Sequence, residues 1–525
     1  MIISLAQLLL WVWLLVLIGR AFKRRSAPLS VPENQAGPEW SRVMLILGVL
    51  LVCLVATRSL AVGLVNEDDW LFMGYGRWVA HHWLEVGRLF TEFVHPTEPI
   101  VRIPPLLWYG LDHTLLGDNL VAWHMVTLAA HILTSGLVAL LAARLLNHRG
   151  IALGIGLLYC FHPVQTEVLS WLSSGRENIL MTALITTALL THLRGRTIWT
   201  VFLAALAMLT KEHALSIIVI LPAVDWIQGR KWQWRTYLSV LALVAAWLLW
   251  RMALMSSQNA EQSAYLADLI ALPIIDMLAL VFVDLPAQLI MPIVPGLWPF
   301  PAVFTGAITV LLGTLLWLVA QRADAVQFFK WTLFALIWLY ATVGPSVGQM
   351  HLPEGPFTAD RVPAWHFRIL TIGMVGPLFT LGWALTHLDR KHWQFVVLVL
   401  TVTGALGLFQ NLEPYVALSQ RVDRLAHAVD SGEWNDKTAV RFVRAQDPAL
   451  TFLLNRRQMS PNAKTLPVLV GEPRCGCVML PVAVADAIMA PLRIEPVDPG
   501  DPCTCQKWRE DAEYFNFDGQ KLVAP

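Results

Sequence analysis

The sequence predicts an all-α polytopic membrane protein of about twelve transmembrane helices, followed by a small extracytoplasmic α/β domain. Three observations carry that expectation. Of 525 residues, 56% are hydrophobic and only 14% charged, where soluble domains carry roughly 25% charged residues. Apolar runs of spanning length recur through the first four-fifths of the chain. The 24 tryptophans cluster beside those runs (Trp70, Trp78, Trp83, Trp108, Trp232, Trp234, Trp393), as expected of side chains anchored at headgroup depth.

In chain order, spans are expected near 2–19, 42–65, 120–146, 150–163, 177–193, 197–210, 213–228, 236–255, 302–320, 331–347, 366–387 and 393–411. The first of these lacks a basic start and a small-residue cleavage site, so it reads as a retained helix and not a removable signal peptide. Basic residues gather in alternate loops: Lys23 to Arg25, Arg144 and Arg149, Arg194 and Arg196, Arg230 to Arg235, Arg322 and Lys330, Arg390 and Lys391. The positive-inside rule places these loops in the cytoplasm and both termini outside. Residues 66–118 then form the first outer loop. The stretch 266–300 holds Pro273, Pro286, Pro292 and Pro295, which break a single helix, so it is expected to be re-entrant or interfacial. The spans make up one module, 1–411, and 412–525 a second. A net charge of +1 without a basic stripe excludes nucleic acid as a partner.

Polar clusters interrupt the apolar pattern. FHPVQTEVLSWLSSGRENIL (161–180) places His162, Glu167, Arg176 and Glu177 where only apolar residues are cheap. TKEHA (210–214) brings Lys211 and Glu212, and NEDDW (66–70) brings Asp68 and Asp69. Ionisable groups at membrane depth are costly and mark sites by default. The loop charges put these clusters, and EGPFTADR (354–361), at one outer surface.

At these residues the chain resembles the GT-C glycosyltransferases, most closely the transmembrane O-mannosyltransferases that carry tetratricopeptide repeats, and their bacterial relatives. The matching pieces run in the family's order: Asp68 and Asp69, the Arg102-Ile103-Pro104-Pro105 element, HPVQTE, SGRENIL, TKEHA, and Asp360-Arg361 before a late helix. The chain departs from the pattern twice. It shows no tetratricopeptide period, and its late motif continues as RVPAWHFR.

The resemblance implies a GT-C-like membrane enzyme that moves a sugar from a polyprenyl-phosphate donor to an acceptor hydroxyl of a protein, glycan or lipid. It also implies contact with membrane lipids and residence in a bacterial-type inner membrane. Single-step inversion needs a carboxylate to take the acceptor proton on the face opposite the leaving phosphate, by analogy with inverting hydrolases. Asp68 is the candidate base and Asp69 its orienting partner; the plainer reading makes both caps of the following helix. Arg102, Arg176, Lys211 and Arg361 are candidates to hold the phosphate. For Arg176 an internal ion pair with Glu167, Glu177 or Glu212 is the alternative, and for Arg102 a solvated loop charge. His162, Glu167 and Glu212 are candidates for a divalent-metal site, against a reading of His162 as a helix cap. His124 and His131 read as core residues, and Arg58 as a snorkelling side chain.

In 412–525, helix-like patterns (416–429, 437–444) give way to strand-like runs (465–470, 478–485). Cys475, Cys477, Cys503 and Cys505 form two Cys-x-Cys pairs. Outside the cytoplasm they are expected as disulfides, with a four-thiolate metal site as the alternative. Cys53 and Cys160 read as small apolar residues. Two other functions are weighed: a non-catalytic GT-C-like scaffold subunit, and a transporter, which would show internal repeats and paired broken helices.

Overall fold

The computed structural model describes residues 38–63, 67–91, 101–258, 319, 321, 323–344 and 367–420, together with four strands between 438 and 523. The expected span 2–19, the expected span 302–320 apart from residue 319, the 266–300 segment, Arg361 and all four Cys-x-Cys cysteines lie outside the described residues.

Among the described residues, fourteen α-helices build the first module. They are α1 (Pro38–Ser59), α2 (Glu67–His81), α3 (Ile103–Leu116), α4 (Leu120–Leu146), α5 (Arg149–Phe161), α6 (Thr166–Ser170) and α7 (Leu172–Leu193). The chain continues with α8 (Thr197–Thr210), α9 (Ile217–Ile227), α10 (Trp234–Gln258), α11 (Ala325–Val343), α12 (Phe367–Gly373), α13 (Val375–Leu385) and α14 (Arg390–Asn411). Five stretches are long and apolar enough to cross a membrane: Glu39–Ser59, Leu120–Leu146, Trp234–Leu254, Ala325–Val343 and Arg390–Gln420. Helices 149–161, 197–210 and 370–385 are apolar but shorter. The protein is a polytopic, integral membrane protein.

Local chemistry sets the helix boundaries. Asn119 Oδ1 accepts from Ala122 N at 3.1 Å to start α4, and His148 Nδ1 accepts from Ile151 N at 3.2 Å to start α5, each satisfying an amide with no helical partner. Burial is inside-out relative to a soluble protein. Val43, Leu45, Ile46, Val49 and Leu50 of α1 are exposed, a patch suited to lipid and not to water. Meanwhile Thr182, Thr186, Thr200, His131 and Asn178 are buried. The aromatic interior includes Trp123, Trp338 and Trp393, all fully buried.

The structure differs from the expected boundaries in four places. α7 begins at Leu172, five residues before the expected span start at 177, so the SGREN cluster is the first turns of a helix and not a loop. The 366–387 span is two helices, α12 and α13, meeting at Met374. The last helical stretch runs to Gln420, beyond the boundary drawn at 411. Residues 438–442, expected as helix-like, are strand β1 (Thr438–Phe442). Its TAVRF sequence is rich in β-formers, and non-local pairing decides such short segments over helical periodicity. β1 is central, parallel to β2 (Val468–Val470) with Val440 opposite Val468, and to β3 (Glu513–Phe517) with Val440 opposite Phe515. β4 (Leu522–Val523) pairs antiparallel with β3. β2 falls within the expected strand at 465–470; the run at 478–485 lies outside the described residues.

Candidate functional site

The site is organised by the first turns of α7. Gly175 allows this helix to start hard against α6: a Cβ there would overlap the Val168 carbonyl oxygen. Tyr109 of α3 donates to the Leu172 and Ser173 carbonyls at 2.5 and 3.1 Å. Asp69, in the first turn of α2 and fully buried, accepts from Ser173 N at 2.8 Å. A carboxylate at the positive end of a helix is stabilised there by the exposed amides and the helix dipole. Asp68 occupies the same turn of α2; its side chain lies outside the described residues.

One turn further along α7, about 6 Å by helix rise, Glu177 meets two cations. Arg102 Nε lies 2.9 Å and Lys211 Nζ 3.4 Å from Glu177 Oε2. The Arg102 guanidinium also takes Glu212 with both terminal nitrogens, at 2.7 and 3.3 Å. Arg102 is the N-cap residue of α3, and the prolines at the first helical positions fix its approach. Lys211 ends α8, and Glu212 opens the 3-10 turn that follows. Burial opposes charge on Glu212, but Arg102, His213 and Lys211 outweigh it and hold the carboxyl well below the usual carboxylate range. For Arg102 burial likewise opposes charge, and Glu177 and Glu212 hold its proton more firmly than usual.

Arg251 of α10 completes the group. Its guanidinium stacks over Trp247 at 5.2 Å and lies within electrostatic range of Glu212 and Arg102. Among the described residues no carboxylate stands within ion-pair distance of Arg251. Sequence reading missed it, although a lone arginine inside AWLLWRMALM carries the same signal that drew attention to the other clusters.

Arg176 is placed differently. Fully buried, it pairs with Asp112 of α3, donates from Nε to Thr127 Oγ1 at 3.0 Å and from Nη2 to the Trp123 carbonyl at 2.9 Å. The rings of Trp108, Tyr109 and Trp123 surround it at 4.8 to 5.2 Å. Each nitrogen has an internal partner, so in this arrangement it ties α3 and α4 to α7 and presents nothing to a ligand. The internal ion pair considered for it exists, with Asp112 as the partner in place of a glutamate. Asp112 was overlooked because a single acid in LLWYGLDHTLL gives no motif.

The expected metal donors do not gather. His162 Nδ1 accepts from Val164 N at 3.2 Å, capping the 3-10 turn after α5. Glu167 is buried in α6, and both Glu212 oxygens face Arg102. Among the described residues no three His, Cys, Asp or Glu side chains are grouped to hold a metal ion. The donor set therefore does not fit a divalent cation. Arg58 pairs with Glu413 at 2.5 Å, and His131 Nε2 donates to the Cys160 carbonyl at 2.9 Å inside the core.

Three separated sequence pieces thus reach the SSGREN turns of α7: EDD through Asp69 to Ser173, RIPP through Arg102 to Glu177, and TKEH through Lys211 to Glu177, with Glu212 held by Arg102. A protein O-mannosyl-transferase of Caenorhabditis elegans is 30% identical to this chain over 128 residues, 23% of the chain and 18% of the relative. The chain resembles the O-mannosyltransferases. The aligned part amounts to about a fifth of that relative's length. No protein-family model matches. Among solved structures, ArnT from Cupriavidus metallidurans bound to undecaprenyl phosphate aligns at a TM-score of 0.47 and 12% identity, covering 82% of this chain and 86% of that one. The apo state of the same protein aligns at a TM-score of 0.46 and 11% identity. The O-mannosyltransferase resemblance first read from motifs accordingly has a sequence match over part of the chain, and four of the motif residues, Arg102, Glu177, Lys211 and Glu212, form one ion network.

Proposed function

We propose that this protein is an integral membrane glycosyltransferase that transfers a sugar from a polyprenyl-phosphate donor to an acceptor hydroxyl on the outer face of a bacterial-type inner membrane. One observation carries the reading: the residues that carry the family resemblance converge as Arg102, Glu177, Lys211 and Glu212, a balanced ion network to which Arg251 adds a further positive charge. A site that must receive a phosphate and release it as a leaving group needs preorganised cations in a low-dielectric setting.

In this account Arg102, Lys211 and Arg251 hold the donor phosphate. Arg102 exchanges part of its grip on Glu212 for phosphate oxygens, a substitution of one planar anion contact for another. The acceptor oxygen attacks the anomeric carbon as the bond to the phosphate oxygen breaks. The phosphate leaves with the bonding electron pair, and the hydroxyl proton passes to a carboxylate. Asp69 is committed to Ser173 N, so Asp68 is assigned as the base and Asp69 as the residue that fixes its turn of α2. Arg361 remains a proposed donor contact, and the cysteines of 412–525 proposed disulfides in an extracytoplasmic domain.

The test is binding of a defined polyprenyl-phosphate sugar to purified protein. Arg102→Ala, Lys211→Ala and Arg251→Ala are each expected to weaken donor binding at least tenfold, with Arg77→Ala, an α2 residue whose guanidinium pairs with Asp118 at 2.7 Å and not with this network, as a control that leaves it unchanged. Wild-type binding in all three site variants would contradict the assignment.

A further inference from the structure

At the far end of α8 from Lys211, some fourteen residues and about 21 Å away by helix rise, the protein holds a cavity. It has a volume of about 360 Å³ and is lined by Thr197, Trp232, Gln233, Trp234, Arg235 and Thr236. Its walls are fixed from behind. The Thr197 and Thr236 hydroxyls are 2.7 Å apart, and Gln233 donates to the His192 carbonyl at 3.3 Å. The Trp232 and Trp234 rings stack at 5.8 Å, with Tyr237 edge-on to both. Tyr237 in turn donates to Asp225 at 2.5 Å.

The charge around this cavity is unbalanced. Asp225, the local acid, is fully buried and already engaged by His192, Tyr237 and Arg230. Arg235 and Lys231 are exposed, and among the described residues neither has a carboxylate within ion-pair distance. The cavity lies at the N-terminal ends of two apolar helices, α8 and α10. Below it, Trp234, Leu238 and Leu241 line one exposed stripe of α10 at helical spacing, and Ile198 and Phe202 line another on α8.

We infer that this cavity is a binding site for an anionic glycerophospholipid. The phosphate sits against Arg235 at the Thr197 rim, the glycerol region lies on the Trp232–Trp234 stack, and the acyl chains follow the two apolar stripes. Aromatic rings at headgroup depth beside unpaired basic groups are the chemistry that selects an anionic lipid over a zwitterionic one. The site is independent of the donor network, because the length of α8 separates them.

Native mass spectrometry of the full chain in detergent, titrated with phosphatidylglycerol or with phosphatidylcholine of the same acyl chains, tests the assignment. The wild type is expected to retain phosphatidylglycerol preferentially. Arg235→Ala should weaken retention about fivefold, the change expected for one basic group at a headgroup surface, and Trp234→Ala should weaken it comparably. Both residues are exposed, so melting temperatures should not move, and Lys391→Ala in a different basic loop should retain the lipid normally. Equal retention of both lipids, no loss in either cavity variant, an equal loss in Lys391→Ala, or displacement by inorganic phosphate at matched concentration would each overturn the inference.

Discussion

Arg102 holds Glu212 through both terminal nitrogens, across 110 residues of sequence, while its Nε stands 2.9 Å from Glu177. One guanidinium thereby bridges two carboxylates, brought from α7 and from the end of α8, and Lys211 supplies the second positive charge.

Arg102→Ala should therefore destabilise more than Glu212→Ala. Removing the arginine leaves Glu177 buried with only Lys211 beside it, and a buried pair that loses one partner typically costs about 3–5 kcal/mol. Glu212 is partly open to solvent, so its removal costs less. Glu212→Gln should keep donor binding, since the phosphate replaces the lost anion. Thermal melting and donor titration on the same preparations check both halves.

Arg176→Ala and Arg176→Lys should both fail to give stable protein. A lysine ammonium cannot reach Asp112, Thr127 and the Trp123 carbonyl in one plane while lying among three aromatic rings. Expression level and melting temperature report the outcome. A folded Arg176→Ala protein with selectively weakened donor binding would return this residue to the phosphate site.

Gly175→Ala should disturb the start of α7. Its Cβ would meet the Val168 carbonyl, which is backbone and cannot rotate away. A steric misfit of this kind costs about 1–3 kcal/mol, and displacement of Ser173 and Glu177 should lower turnover beyond what stability explains. Comparing turnover well below the variant's melting temperature separates the two effects.

Glu212 supplies a pH signature. Its folded-state pKa is held below the ordinary carboxylate value, which for glutamate is about 4.3. The unfolded chain therefore binds the proton more readily, and folding gains from the ionised form. That contribution is complete above the ordinary value and is lost as pH falls below it toward the folded-state pKa. Wild-type stability should hold from pH 7 to about pH 5 and decline below about pH 4, and Glu212→Gln should flatten the decline.

The membrane class, most helices among the described residues and the meeting of NEDDW, the 161–180 segment and TKEHA were legible in the sequence; that Arg102 joins them was not. Apolar length and loop charge are local properties, and a charge at membrane depth announces its cost wherever it lies. What the sequence withheld was partnership. Nothing local in SGREN says that Glu177 faces Arg102 while Arg176, next in the chain, turns to Asp112. Adjacent helical residues point about 100° apart, and only packing decides what each one meets. The expected span began only at 177, yet α7 starts at Leu172, where Asp69 and Tyr109 bond the backbone of Leu172 and Ser173. Arg251 was passed over because a single charge in an apolar helix makes no pattern. His162 shows the reverse: a metal-ligand residue type whose ring nitrogen is spent on a turn.

The central claim is tested most directly by measuring release of polyprenyl phosphate from a defined polyprenyl-phosphate sugar, with acceptor present, for wild type and Asp68→Asn in the same membrane mimic. The account predicts transfer by the wild type. In Asp68→Asn it predicts a loss of about 10²–10⁴-fold, the usual worth of a general base, with donor affinity unchanged. No transfer by the wild type across donors and acceptors, despite tight donor binding, would contradict it and leave a non-catalytic membrane subunit.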